Sequence, residues 1–395
     1  MTLDPKRAAL LAALLLVSAT PARADFEGCL EGLHAAARAD GVSDATFAAA
    51  TRNLQPNPEV ITLSQSQPEF KTPIWDYLAG LVDDERVADG RAAMHQYAQA
   101  FAAAERRFSV DAAVIAAFWG IESNFGKQTG TRPVLQSLAT LACANWRAAY
   151  FRKEFVAALK IVQAGDVDPK VFNGSWAGAF GHTQFMPSTF LSIAVDLDGD
   201  GHRDIVGSVP DALGSTASYM RRSGWIHDLP WGYEVRLPAD YSGPSGRTSK
   251  QPMAAWAARG ITRVDGGPLG SGTAALLLPA GPHGPAFLTT HNFDAIFSYN
   301  PPAESYALAV ALLSDRLRGK RGLVTPWPTN DPGLSRADRR ELQALLIRRG
   351  YDLDGKTDGV IGSKTHAAIL DFQARAGLQQ SGRASLSVLT ALRGR

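Results

Sequence analysis

Phe118-Trp119-Gly120-Ile121-Glu122-Ser123-Asn124-Phe125-Gly126-Lys127 sets one carboxylate among large apolar side chains near the end of a predicted helix. That helix is expected to start near Ser109, a good N-cap, with Asp111 in its first turn. Val114, Ile115, Phe118 and Ile121 recur at helical spacing, and Gly126 is the expected stop. Glu122 shares the face of Ile115, Phe118 and Trp119, which precede it by whole helical turns. Desolvation on that face and the negative end of the helix dipole both disfavour a charged carboxylate. Its pKa should rise from about 4.3 toward about 6, where a general acid works near neutral pH. A solvated glutamate at a frayed helix end is the plain alternative.

A chain of 395 residues allows two or three domains with a real core. Formal net charge is +2, and no basic helix or stripe is interleaved with aromatics, so nucleic acid is not an expected partner. Lys6-Arg7 precede the apolar run Ala8 to Val17, and Ala22-Arg23-Ala24 offers a small-x-small cleavage site. Residues 1–24 therefore read as a signal peptide, with a mature start near Asp25. The apolar run is too short to span a bilayer. Cleavage removes Lys6, Arg7, Arg23 and Asp4 and leaves 37 basic and 37 acidic side chains, so no electrostatic adhesion to membranes is expected. Cys29 follows Phe26-Glu27-Gly28, which lacks the Leu and small residues of a lipoprotein acceptor site. A soluble periplasmic product without a lipid anchor is the expectation. Cys29 and Cys143 fit either one disulfide across a long loop or two separately buried thiols. Their wide spacing argues against a zinc site, and no HExxH accompanies the eight histidines.

Residues 26–107 read as mostly helical, with one long stretch from Asp83 to Phe108, and the helical signal continues to Ile226 between Gly-rich loops. Between about 230 and 290, β-prone runs (Glu234 to Leu237, Ile261 to Val264, Ala275 to Leu278) alternate with Gly/Pro/Ser clusters, which marks a small strand-containing subdomain. Helix resumes over Ser305 to Leu317. Residues 319–333 are too Pro-rich for helix and read as an extended spacer that keeps the C-terminal part separate. Residues 334–395 then predict three helices: one capped by Ser335 with Leu342, Leu345 and Leu346 on a face, one from Ser363 through Phe372, and one near Ser385 to Leu392.

A second stretch, Gly174-Ser175-Trp176-Ala177-Gly178-Ala179-Phe180-Gly181-His182-Thr183-Gln184-Phe185-Met186-Pro187-Ser188-Thr189-Phe190, combines glycines suited to close approach of a ligand with two polar side chains able to donate to a sugar. A Gly-rich turn before a helix at Pro187 is the alternative. With both stretches in view, the chain strongly resembles the lytic murein transglycosylase B family from Phe26 to about Leu317. The resemblance implies an α+β, mainly α fold: a lysozyme-like catalytic domain over 25–318 with the strand-containing insertion, followed by a three-helix module. It implies a carbon–oxygen lyase that cleaves the β-1,4 bond between N-acetylmuramic acid and N-acetylglucosamine in peptidoglycan glycan strands. Glu122 matches the family's only catalytic carboxylate, and Ser175 and Gln184 match residues lining its sugar groove. Tyr150 and Tyr219 match groove tyrosines, and Arg147 matches the second of an arginine pair whose first member is here Trp146. Tyr299, Asn300 and Tyr306 match a Tyr-Asn…Tyr pattern near the cleft.

One carboxylate suffices if the substrate supplies the nucleophile. Glu122 would protonate the leaving oxygen and then accept the proton of the muramic acid's 6-hydroxyl as that oxygen closes on the anomeric carbon, giving a 1,6-anhydro product. Ordinary glycosidases need a second carboxylate, and Asp111, three helical turns away, is a poor candidate. Two rival readings are a hydrolytic muramidase using the same Glu122 and a non-catalytic wall-binding scaffold.

The run Asp196 to Asp204 follows the calcium-loop pattern, with Gly201 at its sixth position and Gly207 where a bidentate Glu is usual. Asp196, Asp198, Asp200, His202 and Asp204 are candidate ligands for a structural calcium or sodium ion, against a metal-free acidic turn. No cofactor is required for the chemistry. The C-terminal module resembles the three-helix peptidoglycan-binding domain through Leu342-Gln343, Gly350-Tyr351, Asp358 to Gly362, Thr365, Phe372-Gln373 and Gly377-Leu378. The sequence names no protein partner.

Overall fold

The computed structural model describes residues 20–65, 72–144 and 147–394, with side chains from residue 25 onward. The expected leader lies outside the described residues except for the backbone of 20–24, and Trp146 lies outside them too. Two compact units emerge: Met1–Gln67 with Gln128–Ser215, and Pro68–Lys127 with Thr216–Arg395. No helix among the described residues is long and apolar enough to cross a membrane.

The first unit is helical. Its principal helices are Thr20–Ala39, Asp44–Thr51, Pro58–Gln65, Val134–Cys143, Ala148–Ala164 and Pro187–Ile193. Leu138, Phe155, Phe172, Phe180 and Phe190 are fully buried in it. Cys29 and Cys143 form a disulfide with their Cα atoms 5.9 Å apart, which decides between the two states the sequence leaves open. A two-residue ladder pairs Arg132–Pro133 with Asn173–Gly174 and roots the Gly-rich motif.

In the second unit the predicted Asp83 to Phe108 helix is two, Asp84–Gln96 and Ala98–Phe108. The break falls at Tyr97 (φ −107°, ψ 29°), whose ring meets Trp119 edge-on at 5.5 Å. No Gly or Pro marks it, so tertiary packing overrides a continuous helical pattern. The helices Ile74–Leu81, Ala112–Ser123, His291–Phe297 and Glu304–Leu317 complete this bundle. The strand-containing subdomain is an antiparallel five-stranded sheet ordered Gln251–Pro252, Thr273–Leu277, Ala286–Thr289, Gly232–Arg236, Thr262–Arg263. Its central strand, Ala286–Thr289, is buried at every position and lies outside the three runs read as strand from the sequence.

The C-terminal helices Arg336–Arg348, Ser363–Arg375 and Leu386–Arg393 close over Leu342, Leu346, Ile369, Val388, Leu389 and Leu392. Ser335 and Asp338 form a reciprocal capping box at the start of the first. The preceding segment, 320–333, has no helix, in keeping with its prolines, but it is not a free spacer. The Glu234 carboxylate accepts from Val324 N (2.8 Å) and Thr325 N (2.7 Å). The module itself is docked within this unit: Arg336 Nε donates to Asp83 Oδ2 (3.0 Å), and Arg383 forks onto both oxygens of Asp76 (2.8 Å each). Asp76, Asp83 and Arg336 are buried, and losing one partner of such a pair costs about 3–5 kcal/mol.

Candidate active site

The helix Ala112–Ser123 is capped by Asp111, whose carboxylate accepts from Ala113 N at 2.8 Å. Ser109, the sequence-based choice, instead ends the preceding helix in a left-handed conformation (φ 55°). Asp111 is also bonded by Arg318 Nε at 3.1 Å, at the end of the helix opposite Glu122. The helix stops at Asn124 (φ 51°), before Gly126, because asparagine tolerates the left-handed turn that a helix end needs. Phe125 (φ 58°) and Gly126 (φ 82°) continue the same reversal.

Glu122 is therefore in the last turn, on a helix whose Ile115, Phe118 and Trp119 are buried. It keeps part of its surface open to solvent. Burial nonetheless pushes its carboxyl from an ordinary 4.5 up to about 8, further than the sequence suggests, against the pull of a hydrogen bond from Tyr306. Tyr306 Oη donates to Glu122 Oε1. Burial and the neighbouring Glu122 charge hold the Tyr306 phenol well above its usual range, so it stays a donor. No second carboxylate contributes to the Glu122 shift.

Aromatic rings extend from this pair. Tyr299 lies 6.3 Å from Tyr306 and nearly parallel to it, 4.5 Å from Phe118, and 4.7 Å from Tyr219. Tyr219 Oη donates to Ser298 O at 2.6 Å, which fixes the turn carrying Tyr299. Glu122, Tyr306, Tyr299 and Tyr219 are thus brought together, while Asn300 is exposed in the following turn. A cavity of about 840 Å³ in the same unit, walled by Trp75, Trp231, Tyr233 and Trp327, includes none of these four.

The first unit holds the remaining predicted residues. Ser175 Oγ accepts from Ala179 N at 3.1 Å and shapes a turn, leaving its hydroxyl proton for a ligand. Gln184 (φ 52°) donates from its amide nitrogen to Thr129 O and Gly181 O, both at 2.9 Å. Both donors are spent on carbonyls, so Gln184 offers a ligand an acceptor rather than the expected donor. The glycines face their own chain: a Cβ at Gly174 would strike Ala179 O, one at Gly178 would lie 2.5 Å from Leu138 Cδ2, and one at Gly181 would lie 2.6 Å from Ile205 O. Close packing, within the motif at Gly174 and against Leu138 and Ile205 at the other two, is what requires these glycines. Arg147 stacks over the Tyr150 ring at 4.5 Å, a cation–π contact on the surface of this unit.

In the acidic loop, Asp196, Asp198 and Asp200 gather with Asp211, each offering an oxygen within 4.8 Å of the others. His202 and Asp204 are outside this group, and Asp204 Oδ1 instead accepts from Val206 N (2.7 Å) and Gly207 N (2.9 Å). Asp211 was missed because it lies beyond the twelve-residue span of the calcium loop, in the first turn of the helix Val209–Arg222. It also accepts from Leu197 N (2.7 Å) and Asp204 N (2.9 Å), so it ties the loop to that helix. Four clustered carboxylates suit a hard cation that prefers oxygen, and the side-chain donor set fits one.

With this geometry in place, comparison with known proteins gives consistent matches. The transglycosylase SLT domain family matches residues 25–315, and a peptidoglycan binding domain family matches residues 335–392. Membrane-bound lytic murein transglycosylase B of Escherichia coli K12 is 33% identical over 222 residues, 52% of this chain and 61% of that protein. The chain thus spans about three-fifths of that curated relative's length. SltB3 of Pseudomonas aeruginosa, solved in complex with NAG-anhNAM-pentapeptide, is 46% identical with a TM-score of 0.75, covering 93% of this chain and 99% of its own. The Escherichia coli lytic transglycosylase Slt35, solved in complex with calcium, is 28% identical with a TM-score of 0.65, covering 74% of this chain and 92% of its own.

Proposed function

The chain belongs to the transglycosylase SLT domain family, and from that membership we propose that it is a lytic transglycosylase of peptidoglycan with Glu122 as its single general acid and base. One observation carries the reading: a lone carboxyl held near pKa 8, hydrogen-bonded by Tyr306, at the position of the family's catalytic glutamate. At pH 7 such a group is roughly nine-tenths protonated and ready to give its proton to the leaving glycosidic oxygen. As the bond to the anomeric carbon breaks, Glu122 becomes a carboxylate stabilised by the Tyr306 hydroxyl. It then removes the proton of the muramic acid's 6-hydroxyl while that oxygen bonds the anomeric carbon. The proton returns to Glu122, no water is consumed, and the product carries a 1,6-anhydro ring.

The resemblance assigns sugar contacts to Ser175, Gln184, Arg147 and Tyr150, and to Tyr219, Tyr299, Asn300 and Tyr306. The module at 335–392 is proposed to hold the enzyme on the wall, and the leader-like residues 1–24 favour a periplasmic site of action. The acidic loop is proposed to bind calcium as a structural ion, as its four carboxylates favour.

Mass spectrometry of muropeptides released from purified sacculi tests the reaction. Products ending in 1,6-anhydromuramic acid are expected. Reducing-end products, each one water heavier, would instead make the enzyme a hydrolytic muramidase.

A further inference from the structure

We propose that Arg336 of the C-terminal module is a positioning residue of the active site, acting through Asn124 to fix the end of the helix that carries Glu122. The inference rests on Glu122 being the acid. The last turn of a helix has carbonyls with no intrahelical partner and frays unless something holds it. Here Gly120 O accepts from buried Arg86 Nη1 as well as from Asn124 N at 3.1 Å, and Trp119 O accepts from Phe125 N at 3.2 Å. Arg336 Nη1 donates to Asn124 Oδ1 at 2.6 Å, two residues beyond Glu122.

The same residue makes three bonds to Asp83, two from its guanidinium and one from its backbone: Nε to Oδ2 at 3.0 Å, Nη2 to Oδ1 at 3.3 Å, and the backbone N to Oδ2 at 3.1 Å. Asp83 is the N-cap of the helix that carries Arg86, accepting from Arg86 N at 2.7 Å. One buried side chain thus spans the beginning of one helix and the end of another. Docking of the module is already served by Asp83 and by the Arg383–Asp76 fork. The bond to Asn124 comes in addition to these contacts, and it reaches the one turn whose orientation aims the acid. The cation also suits the negative end of that helix. A lysine could satisfy Asp83 or Asn124 but lacks the planar fork to serve both.

The test uses the full chain and a soluble glycan substrate, so that wall binding does not enter the rate. Asn124→Gly keeps the left-handed turn and deletes only the amide that Arg336 holds. Its kcat should fall roughly tenfold, since sub-ångström misplacement of a catalytic group is costly, while KM stays within about twofold. Arg336→Lys should lose kcat similarly while its melting temperature and pelleting with sacculi stay near wild type. Arg336→Ala combined with Asn124→Gly should be no slower than Arg336→Ala alone, because both remove one interaction. A kcat for Asn124→Gly within about twofold of wild type, or losses that multiply in the double variant, would overturn the proposal. Glu122→Gln, measured alongside, separates the two ideas: turnover retained there removes the acid assignment, whereas a dead Glu122→Gln with an unimpaired Asn124→Gly removes only the positioning role.

Discussion

The proposed chemistry rests on a single ionisation, that of Glu122. An acid with a value near 8 works while protonated, so kcat/KM should fall as pH rises through about 8. A pH–rate profile on soluble glycan reads this directly. Tyr306→Phe removes the donor that holds the value down, so its falling limb should move to higher pH. The same shift acts on stability. A carboxyl whose folded value is raised contributes fully below its unfolded value, near 4.5, and that contribution is lost as pH climbs through about 8. Glu122→Gln has no such loss. Its melting temperature should exceed that of wild type at about pH 9 and match it below about pH 4.5, while turnover drops a hundred-fold to ten-thousand-fold. The face occupied by Glu122 was legible because residues three, four and seven earlier define it. Tyr306 was found only by resemblance, since no periodicity links residues 184 positions apart.

The two Gly- and Asp-rich elements each do something other than their spacing suggests. Gly178 has φ +88° and a Cβ there would meet Leu138 Cδ2 at 2.5 Å, so Gly178→Ala should destabilise the protein by about 1–3 kcal/mol in denaturant titrations. That glycine is required was readable; what crowds it was not, because Leu138 belongs to a different helix. In the acidic loop, the spacing identified Asp196, Asp198 and Asp200, but the fourth carboxylate comes from the helix that follows. If calcium binds there, the native state gains RT ln(1 + [L]/Kd), and a Kd around 10⁻⁴ to 10⁻³ M is expected. Millimolar calcium should then raise the melting temperature, and Asp200→Ala should remove the response. Asp200 is the cleaner choice because it is exposed and accepts from one backbone group, His202 N, whereas Asp211 is buried and holds the N–H groups of Leu197 and Asp204. Indifference of the wild-type protein to millimolar calcium would leave the loop a simple turn.

At the scale of the whole chain, the C-terminal module was legible as three helices, but not its docking. The contacts that dock it, Arg336 with Asp83 and Arg383 with Asp76, join residues 253 and 307 positions apart, and no local pattern reports them. The consequence is measurable. A tethered module could be removed without affecting cleavage of soluble glycan, whereas deletion of 333–395 from this protein should cost kcat about as much as Asn124→Gly, roughly tenfold. The disulfide belongs to this scale as well. Closing a loop over 114 positions restricts the unfolded chain enough for reduction to cost about 4–5 kcal/mol, visible as a lower melting temperature in reductant. It also sets a requirement on biosynthesis. This sequence contains two cysteines, so oxidation within it has one product and no mispaired isomer for a thiol shuffler to correct. The earlier thiol, Cys29, leaves the ribosome well before its partner and must stay reduced and unclaimed by other thiols until Cys143 has followed. Maturation therefore depends on a single two-electron oxidation, timed by the arrival of the second sulfur.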